Sequence, residues 1–382
     1  MIEYFESNYA WNLAATTLAE EAGNFPEFEP TLRRLKPYQS IEAVEASQRW
    51  HCAFAELGDH MVGLAQTEEA KGHYFSAARR YHRASMYYLK AERMLSHRDP
   101  QRLATYGKSL VAYKKARVLN RDPVEFVDIP YKASSMPALF VPGEGPGPRP
   151  MVIHLQGFDS VKESQYPYLE GYSRRGLSVL IVDQPGAGQA IRERGLTAEV
   201  ETENYVRAIV DYACTRSDVD ANRIGLAGIS MGGYFAPRAA AYEPRIRAVA
   251  CWGALYDFGE LSARRANATD GADSVPAVLE HALWCFGVQT PEECLAIARR
   301  MNLRDVMPRV TCPLLVTHGA DDRQVPLDHA QRTYDEAASK VKTLKIFTKE
   351  DGGAAHCQLD NRYLGSDVFG DWFAEQLGGT CR

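Results

Sequence analysis

The sequence has no long apolar run, no basic leader, no paired cysteines and no large excess of one charge, and each absence removes a class of protein. No stretch approaches the roughly 20 apolar residues that a bilayer-spanning helix needs. The start, Met1-Ile-Glu-Tyr-Phe-Glu, lacks the basic beginning and apolar centre of a secretory signal, so a cytoplasmic protein is expected. Eight cysteines (Cys52, Cys214, Cys251, Cys285, Cys294, Cys312, Cys357, Cys381) contain no C-x-x-C pair, and several sit inside apolar runs. They read as reduced thiols, not as a disulfide framework. The net charge of -5 is spread among interspersed acids and bases, which offers nothing to nucleic acid or to an anionic membrane surface. A small, uncharged or mixed molecule is the expected partner, and a homodimer is permitted without being required. Gly186-Ala187-Gly188 is too short for a phosphate-binding fingerprint and the histidines lack zinc-ligand spacing, so neither cofactor nor metal is expected.

What is present suffices for two domains: 382 residues, 45% of them hydrophobic. Up to about Asn120 the apolar period is helical. Trp50, Phe54, Leu57, Met61 and Leu64 recur at spacings of three and four within 48–66, and 72–97 and 100–119 repeat the pattern. Their aromatic faces (Tyr74, Phe75, Tyr81, Tyr87, Tyr88, Tyr106, Tyr113) suit helix-to-helix packing, or alternatively the roof of a pocket belonging to the other domain. No sequence repeat points to a solenoid. From Asp122 the pattern changes to short strands: 124–131 and 135–141 as an antiparallel pair, then strands at 150–156, 177–183, 223–229, 246–252, 313–317 and 343–347. Helices at 166–175, 203–216, 326–339 and 366–377 alternate with them, which predicts an α/β fold with a mainly parallel sheet covered on both faces. A helical, polar and aromatic stretch at about 257–309 interrupts the alternation and reads as a cap above the strands' carboxyl ends. The expected division is therefore a helical domain, 1–121, and an α/β domain, 122–382.

The chemistry centres on Gly228-Ile-Ser-Met-Gly232. A buried strand runs into Ser230 and an alanine-rich helix follows, the context of a nucleophile elbow. There a hydroxyl is lifted out of the sheet at a helix N-terminus that favours negative charge. Serine needs a base, and the base needs an orienting acid. The loop after strand 313–317, His318-Gly-Ala-Asp-Asp-Arg-Gln-Val-Pro, supplies the acid as Asp322, with Asp321 left to the turn or to solvent. The loop after strand 343–347 supplies the base as His356. The order Ser, Asp, His is that of α/β-hydrolases. Backbone N–H groups of Met231 and Phe158 are the candidate oxyanion donors. Asp159 lies in the mouth of the site, where it either caps and meets solvent or orients a substrate carbonyl and moves a proton.

Three stretches, Q-G-F-D-S-V-K-E at 156–163, D-Q-P-G-A-G at 183–188 and G-I-S-M-G-G-Y at 228–234 with E-P-R at 243–245, resemble the 2,6-dihydroxypseudooxynicotine hydrolase group of α/β-hydrolases. That group also includes the fungal hydrolase that shortens a polyketide during melanin formation. The resemblance implies a helical N-terminal domain that helps close the site, cleavage of a carbon-carbon bond beside a ketone, and Ser230, Asp322 and His356 as the triad. The group's acid in the post-strand loop falls on Asp159, an aspartate where the nicotine-pathway enzyme has glutamate. Related enzymes of tetronate polyketide pathways eliminate acetate. Three functions follow as alternatives: hydrolysis of a carbon-carbon or ester bond in a polyketide-like or aromatic ketone, elimination of a carboxylate, or a silent ligand receptor.

Overall fold

The structure, a computed structural model, describes residues 2–266 and 275–381. Two compact units divide the chain: Met1–Pro123 with Asp270–His281, and Val124–Thr269 with Ala282–Arg382.

The first unit holds α1 (Tyr9–Ala22), α2 (Phe25–Leu35), α3 (Ala43–Ala70), α4 (Tyr74–Arg93) and α5 (Pro100–Asn120). Local sequence sets their ends. The Asn8 side chain accepts the Trp11 N–H to cap α1, and Asp99 caps α5 with Pro100 in the first turn. The helix expected at 48–66 runs from 43 to 70 because the Glu42 carboxylate caps it further upstream. Its apolar face carries Trp50 against Trp11 and Phe54, with ring centroids 4.9 and 4.6 Å apart, and the Trp50 indole donates to the Lys90 carbonyl at 2.9 Å. The tyrosines at 81, 87, 88, 106 and 113 are buried, whereas Tyr74 and Phe75 are exposed.

The second unit starts with an antiparallel pair, β1 (Glu125–Tyr131) and β2 (Ser134–Val141). Next come β3 (Arg149–Leu155), α6 (Lys162–Leu169), α7 (Gly171–Arg174), β4 (Ser178–Val182), α8 (Gly188–Arg192), α9 (Glu203–Thr215) and β5 (Val219–Ile229). The chain continues through α10 (Gly232–Tyr242), β6 (Ile246–Trp252), α11 (Phe258–Ala266), α12 (Val278–Phe286), α13 (Pro291–Arg300), β7 (Leu314–Gly319), α14 (Leu327–Asp335), β8 (Lys342–Phe347) and α15 (Arg362–Leu377). The sheet order is β1-β2-β4-β3-β5-β6-β7-β8, antiparallel up to the β2–β4 pair and parallel from β4 onward. Alternate residues of the central strands, Met151, Ile153 and Leu155 with Ile224 and Leu226, enter one continuous core, each buried side chain contributing about 1.5–3 kcal/mol. Parallel pairing brings the carboxyl ends of β3, β5, β6, β7 and β8 to one edge, where loops are free to carry function.

The helix expected at 166–175 differs. It begins at Lys162, whose backbone N–H donates to Asp183 Oδ1 at 2.8 Å, and it breaks after Leu169 into the short α7. Pro167 lies inside α6, where it removes the hydrogen bond to the carbonyl four residues earlier and weakens the turn that precedes it. The stretch expected as a cap carries α11, α12 and α13; its residues 267–274 lie outside the described residues.

Candidate active site

β5 delivers Ser230 into a left-handed backbone, φ 57°, a conformation that a residue with a side chain adopts only at a cost. The elbow closes because Gly228 has no side chain: a Cβ there would lie 2.1 Å from the Gly232 carbonyl oxygen. Ser230 N–H donates to the Trp252 carbonyl at 2.8 Å, and Gly233 N–H to the Ser230 carbonyl at 2.7 Å. Ser230 is half-buried while the residues around it are buried.

Two neighbouring strand ends supply its partners. His356 Nε2 accepts the Ser230 hydroxyl at 2.8 Å, and Nδ1–H donates to Asp322 Oδ2 at 2.6 Å. Asp322 is held in turn: Oδ1 accepts the N–H groups of Gln324 and Val325 at 2.8 and 2.9 Å. His318, fully buried at the end of β7, donates from Nε2 to the Val325 carbonyl at 2.9 Å. The loops that carry His356 and Asp322 are tied together by Asp321 N–H donating to the Ala354 carbonyl at 2.9 Å. Burial, the largest single influence, raises the Asp322 carboxyl, but the charge and hydrogen bond of His356, the His318 charge and the Val325 N–H together bring it below its ordinary value. Burial opposes charge on His356 as well, yet the Asp322 carboxylate holds the imidazole well above its ordinary 6.5. The relay is an anion, a ring and a hydroxyl in line, the geometry of nucleophilic serine chemistry.

Asp321 is exposed and pairs with Lys349 at 3.1 Å, so the two adjacent acids have separate surroundings. Phe158 and Asp159 lie half-buried on the loop after β3. That loop abuts the elbow, since a Cβ on Gly157 would sit 3.1 Å from Ser230 Cβ. Met231, buried, follows Ser230 at the N-cap of α10. Asp159 is not a member of the hydrogen-bonded relay. The segment between β6 and β7 reaches the same edge: Cys285 Sγ is 3.8 Å from the Phe158 carbonyl, and Arg265 donates to the Gln324 carbonyl at 3.1 Å.

A second ionic cluster, for which the sequence reading gave no role, stands behind the loop after β3. Lys162 Nζ lies 3.0 Å from Asp183 Oδ2, 2.7 Å from Glu163 Oε1 and 2.9 Å from Gln189 Oε1. Asp183 Oδ2 also accepts the Gln189 N–H at 2.8 Å, so its oxygens receive an anion's set of donors. The cluster clamps the start of α6, and with it the loop that carries Phe158, to the end of β4. Gln184 adds a second clamp, its side chain accepting the Gln156 N–H at 2.9 Å and donating to the Gln156 carbonyl at 3.1 Å. The available signal was a Lys-Glu pair directly after one strand-end loop and an aspartate closing the next strand.

Among the described residues one trio, Glu260, Asp328 and His329, has donor atoms within 4.8 Å of one another. Arg332 already supplies the cation there, 2.8 Å from Glu260 and 3.7 Å from Asp328, and His329 Nδ1 accepts the Tyr256 N–H at 3.1 Å. No helix among the described residues is long and apolar enough to cross a membrane.

The chain has known relatives. The family described as esterase FrsA-like matches residues 53–263, and the prolyl oligopeptidase family matches residues 168–380. The chain is 30% identical over 311 residues to 20-hydroxy-prefusarin hydrolase FUS2 of Gibberella moniliformis, covering 72% of this chain and 74% of that one. It is 27% identical over 309 residues to 2,6-dihydropseudooxynicotine hydrolase of Paenarthrobacter nicotinovorans, covering 81% and 79%. Among solved structures, that of 2,6-dihydroxy-pseudo-oxynicotine hydrolase superposes with a TM-score of 0.75 at 24% identity over 95% of both chains. AbyA5 superposes at 0.66 with 17% identity over 84% of this chain and 89% of that one. Both share the fold.

Proposed function

We infer the reaction from one premise: this chain belongs to the FrsA-like esterase family of α/β-hydrolases, in the group that holds 2,6-dihydropseudooxynicotine hydrolase and fungal hydrolases such as FUS2. It is a hydrolase. Its reaction is serine-dependent cleavage of a carbon-carbon or ester bond beside a carbonyl, in a polyketide-like or aromatic ketone. The substrate class follows the names of those relatives; the mechanism follows the residues. One observation carries the mechanism, the hydroxyl-to-imidazole-to-carboxylate line at 2.8 and 2.6 Å.

As Ser230 Oγ bonds to the carbonyl carbon, its proton passes to His356 Nε2, and Asp322 holds the resulting imidazolium in register. The carbonyl oxygen becomes an oxyanion facing the backbone N–H groups of Met231 and Phe158. Collapse of that intermediate breaks the bond to the leaving carbon or oxygen, which takes the proton from Nε2. Water, deprotonated by the same imidazole, then releases the acid from Ser230. Asp159, half-buried on the loop after β3, orients a second carbonyl or phenol of the substrate in this reading.

The test is turnover of β-diketones and acylated polyketides in heavy-oxygen water, with mass spectrometry of the products and fluorophosphonate labelling of the protein. The reading requires one heavy oxygen in the released acid and label on Ser230. An acid free of heavy oxygen, leaving beside a new double bond, identifies carboxylate elimination instead, and failure to label Ser230 with no turnover of any activated ester identifies a silent receptor.

A further inference from the structure

His356 has a neighbour that the relay does not use. Cys357 Sγ lies 3.4 Å from His356 Nε2, the nitrogen that faces Ser230, and its S–H donates to the Trp252 carbonyl at 3.2 Å. That carbonyl also accepts the Ser230 N–H, so nucleophile and base loop hang from one oxygen at the end of β6. The next residue repeats the attachment: the Trp252 indole donates to Gln358 Oε1 at 2.8 Å. Cys357 and Gln358 both have left-handed backbones, φ 49° and 51°. A buried thiol held in that region next to a base indicates a side chain whose position matters. Room for it depends on Gly253, where a Cβ would meet Sγ at 2.4 Å.

The geometry points to Cys357 as a positioning residue for the base: its thiol fixes the histidine loop to the Trp252 carbonyl, and its sulfur accepts the Nε2–H of the imidazolium. This rests on the serine-hydrolase reading. With the ring neutral, the Nε2 lone pair faces Ser230 and the sulfur gains nothing. Once Oγ has bonded to carbon and its proton sits on Nε2, that N–H has two acceptors, the leaving group and Sγ. The sulfur is the weaker acceptor, so it steadies the imidazolium without retaining the proton, which goes on to the leaving group. Such stabilisation is present after proton capture and absent before, the condition for accelerating the step. The titratable groups facing the ring among the described residues are Asp322 and His318 from the end of β7, and Cys357. The Cys357 sulfur acts in the same direction as Asp322, raising His356.

The experiment follows the rate of Ser230 labelling by a fluorophosphonate, and hydrolysis of p-nitrophenyl acetate, against pH, in C357A, C357G and C357S, with thermal melting of each variant. C357G relieves the left-handed strain while removing the sulfur, so it separates loss of the thiol from damage to the fold. C357A and C357G are expected to label and turn over about tenfold more slowly at the plateau, and their rising pH limb is expected to move to lower pH. KM should change by less than about twofold, and C357S should recover most of the rate. Wild-type rates and an unmoved limb in C357A and C357G overturn the proposal, as does a rate loss that only tracks the unfolded fraction. S230A is the control on the reading beneath: if it stays active, the serine mechanism fails whatever Cys357 does. If it is inert while the Cys357 variants behave as wild type, this inference alone fails.

Discussion

Two clusters of ionisable groups stand at the same edge of the sheet, and only one of them is arranged for chemistry. Ser230, His356 and Asp322 come from the ends of β5, β8 and β7; Lys162, Glu163 and Asp183 come from the loop after β3 and the end of β4. Contacts are equally short in both, 2.6–2.8 Å and 2.7–3.0 Å. In the first, the hydroxyl of a half-buried serine ends the line and a proton has somewhere to go. In the second, the side chains are at most 3% exposed and the cation is enclosed by acceptors. Proximity of acids and bases therefore marks a stiff strand-end architecture; an accessible terminus and an unmatched proton mark a reactive site.

Removing the terminus should break the comparison most completely. Ser230→Ala is expected to lower kcat/KM by on the order of 10⁴-fold or more, with little change in melting temperature because no buried charge is uncovered. Asp322→Asn should cost about 10⁴-fold by presenting the wrong tautomer to the serine, with a second signature in the pH profile. The base works only when unprotonated, so activity rises with pH through the His356 titration. In the wild type that limb lies above 6.5, since the Asp322 carboxylate and the Cys357 sulfur together outweigh the burial that opposes charge. With asparagine the limb moves to lower pH, and a limb that stays put would separate Asp322 from the base.

Lys162→Met tests the opposite character of the sealed cluster. Taking away a buried cation leaves two buried carboxyl groups without their partner, a loss of about 3–5 kcal/mol in unfolding free energy. Urea unfolding measures it. Ser230 in the molecules that remain folded should still label with a fluorophosphonate, because the relay does not pass through Lys162.

The difference between the clusters also explains what could be read from sequence. The elbow is contiguous: Gly228, Ser230 and Gly232 must lie within five residues because a sharp turn requires it, and the acid and base each follow an apolar strand that announces its own end. Strand positions were legible to within a few residues for the same reason, a period-two or continuous apolar signal. The brace was not, because Lys162 and Asp183 are 21 residues apart and meet only after β3 and β4 pair. The start of α6 was misplaced for a related cause: the Asp183 carboxylate sets it, not a local capping residue. In the helical unit the long amphipathic pattern of α3 was clear, whereas α1, rich in alanine and threonine, carries little periodic contrast.

The smallest effect tests the proton count of the brace. Burial raises the Glu163 carboxyl above its usual 4.5 although Lys162 pulls it down, and Asp183 adds to the rise. Lys162, whose burial disfavours charge, is raised overall by the two carboxyl groups. Burial disfavours the charged form of a carboxyl, so folding favours the neutral form of Glu163 relative to the unfolded chain. Glutamine is the isostere of a protonated glutamate, so Glu163→Gln should change stability at mildly acidic pH by less than about 1 kcal/mol. The sign with pH is fixed by linkage. A carboxyl with a raised folded-state pKa binds more protons folded than unfolded, so its contribution is full below 4.5 and is lost as pH rises through the folded value. Denaturant midpoints of wild type and variant should therefore diverge with rising pH, the wild type losing stability relative to glutamine. Parallel curves would mean that the Glu163 carboxyl binds protons alike in the folded and unfolded chain, and that the cluster does not displace it.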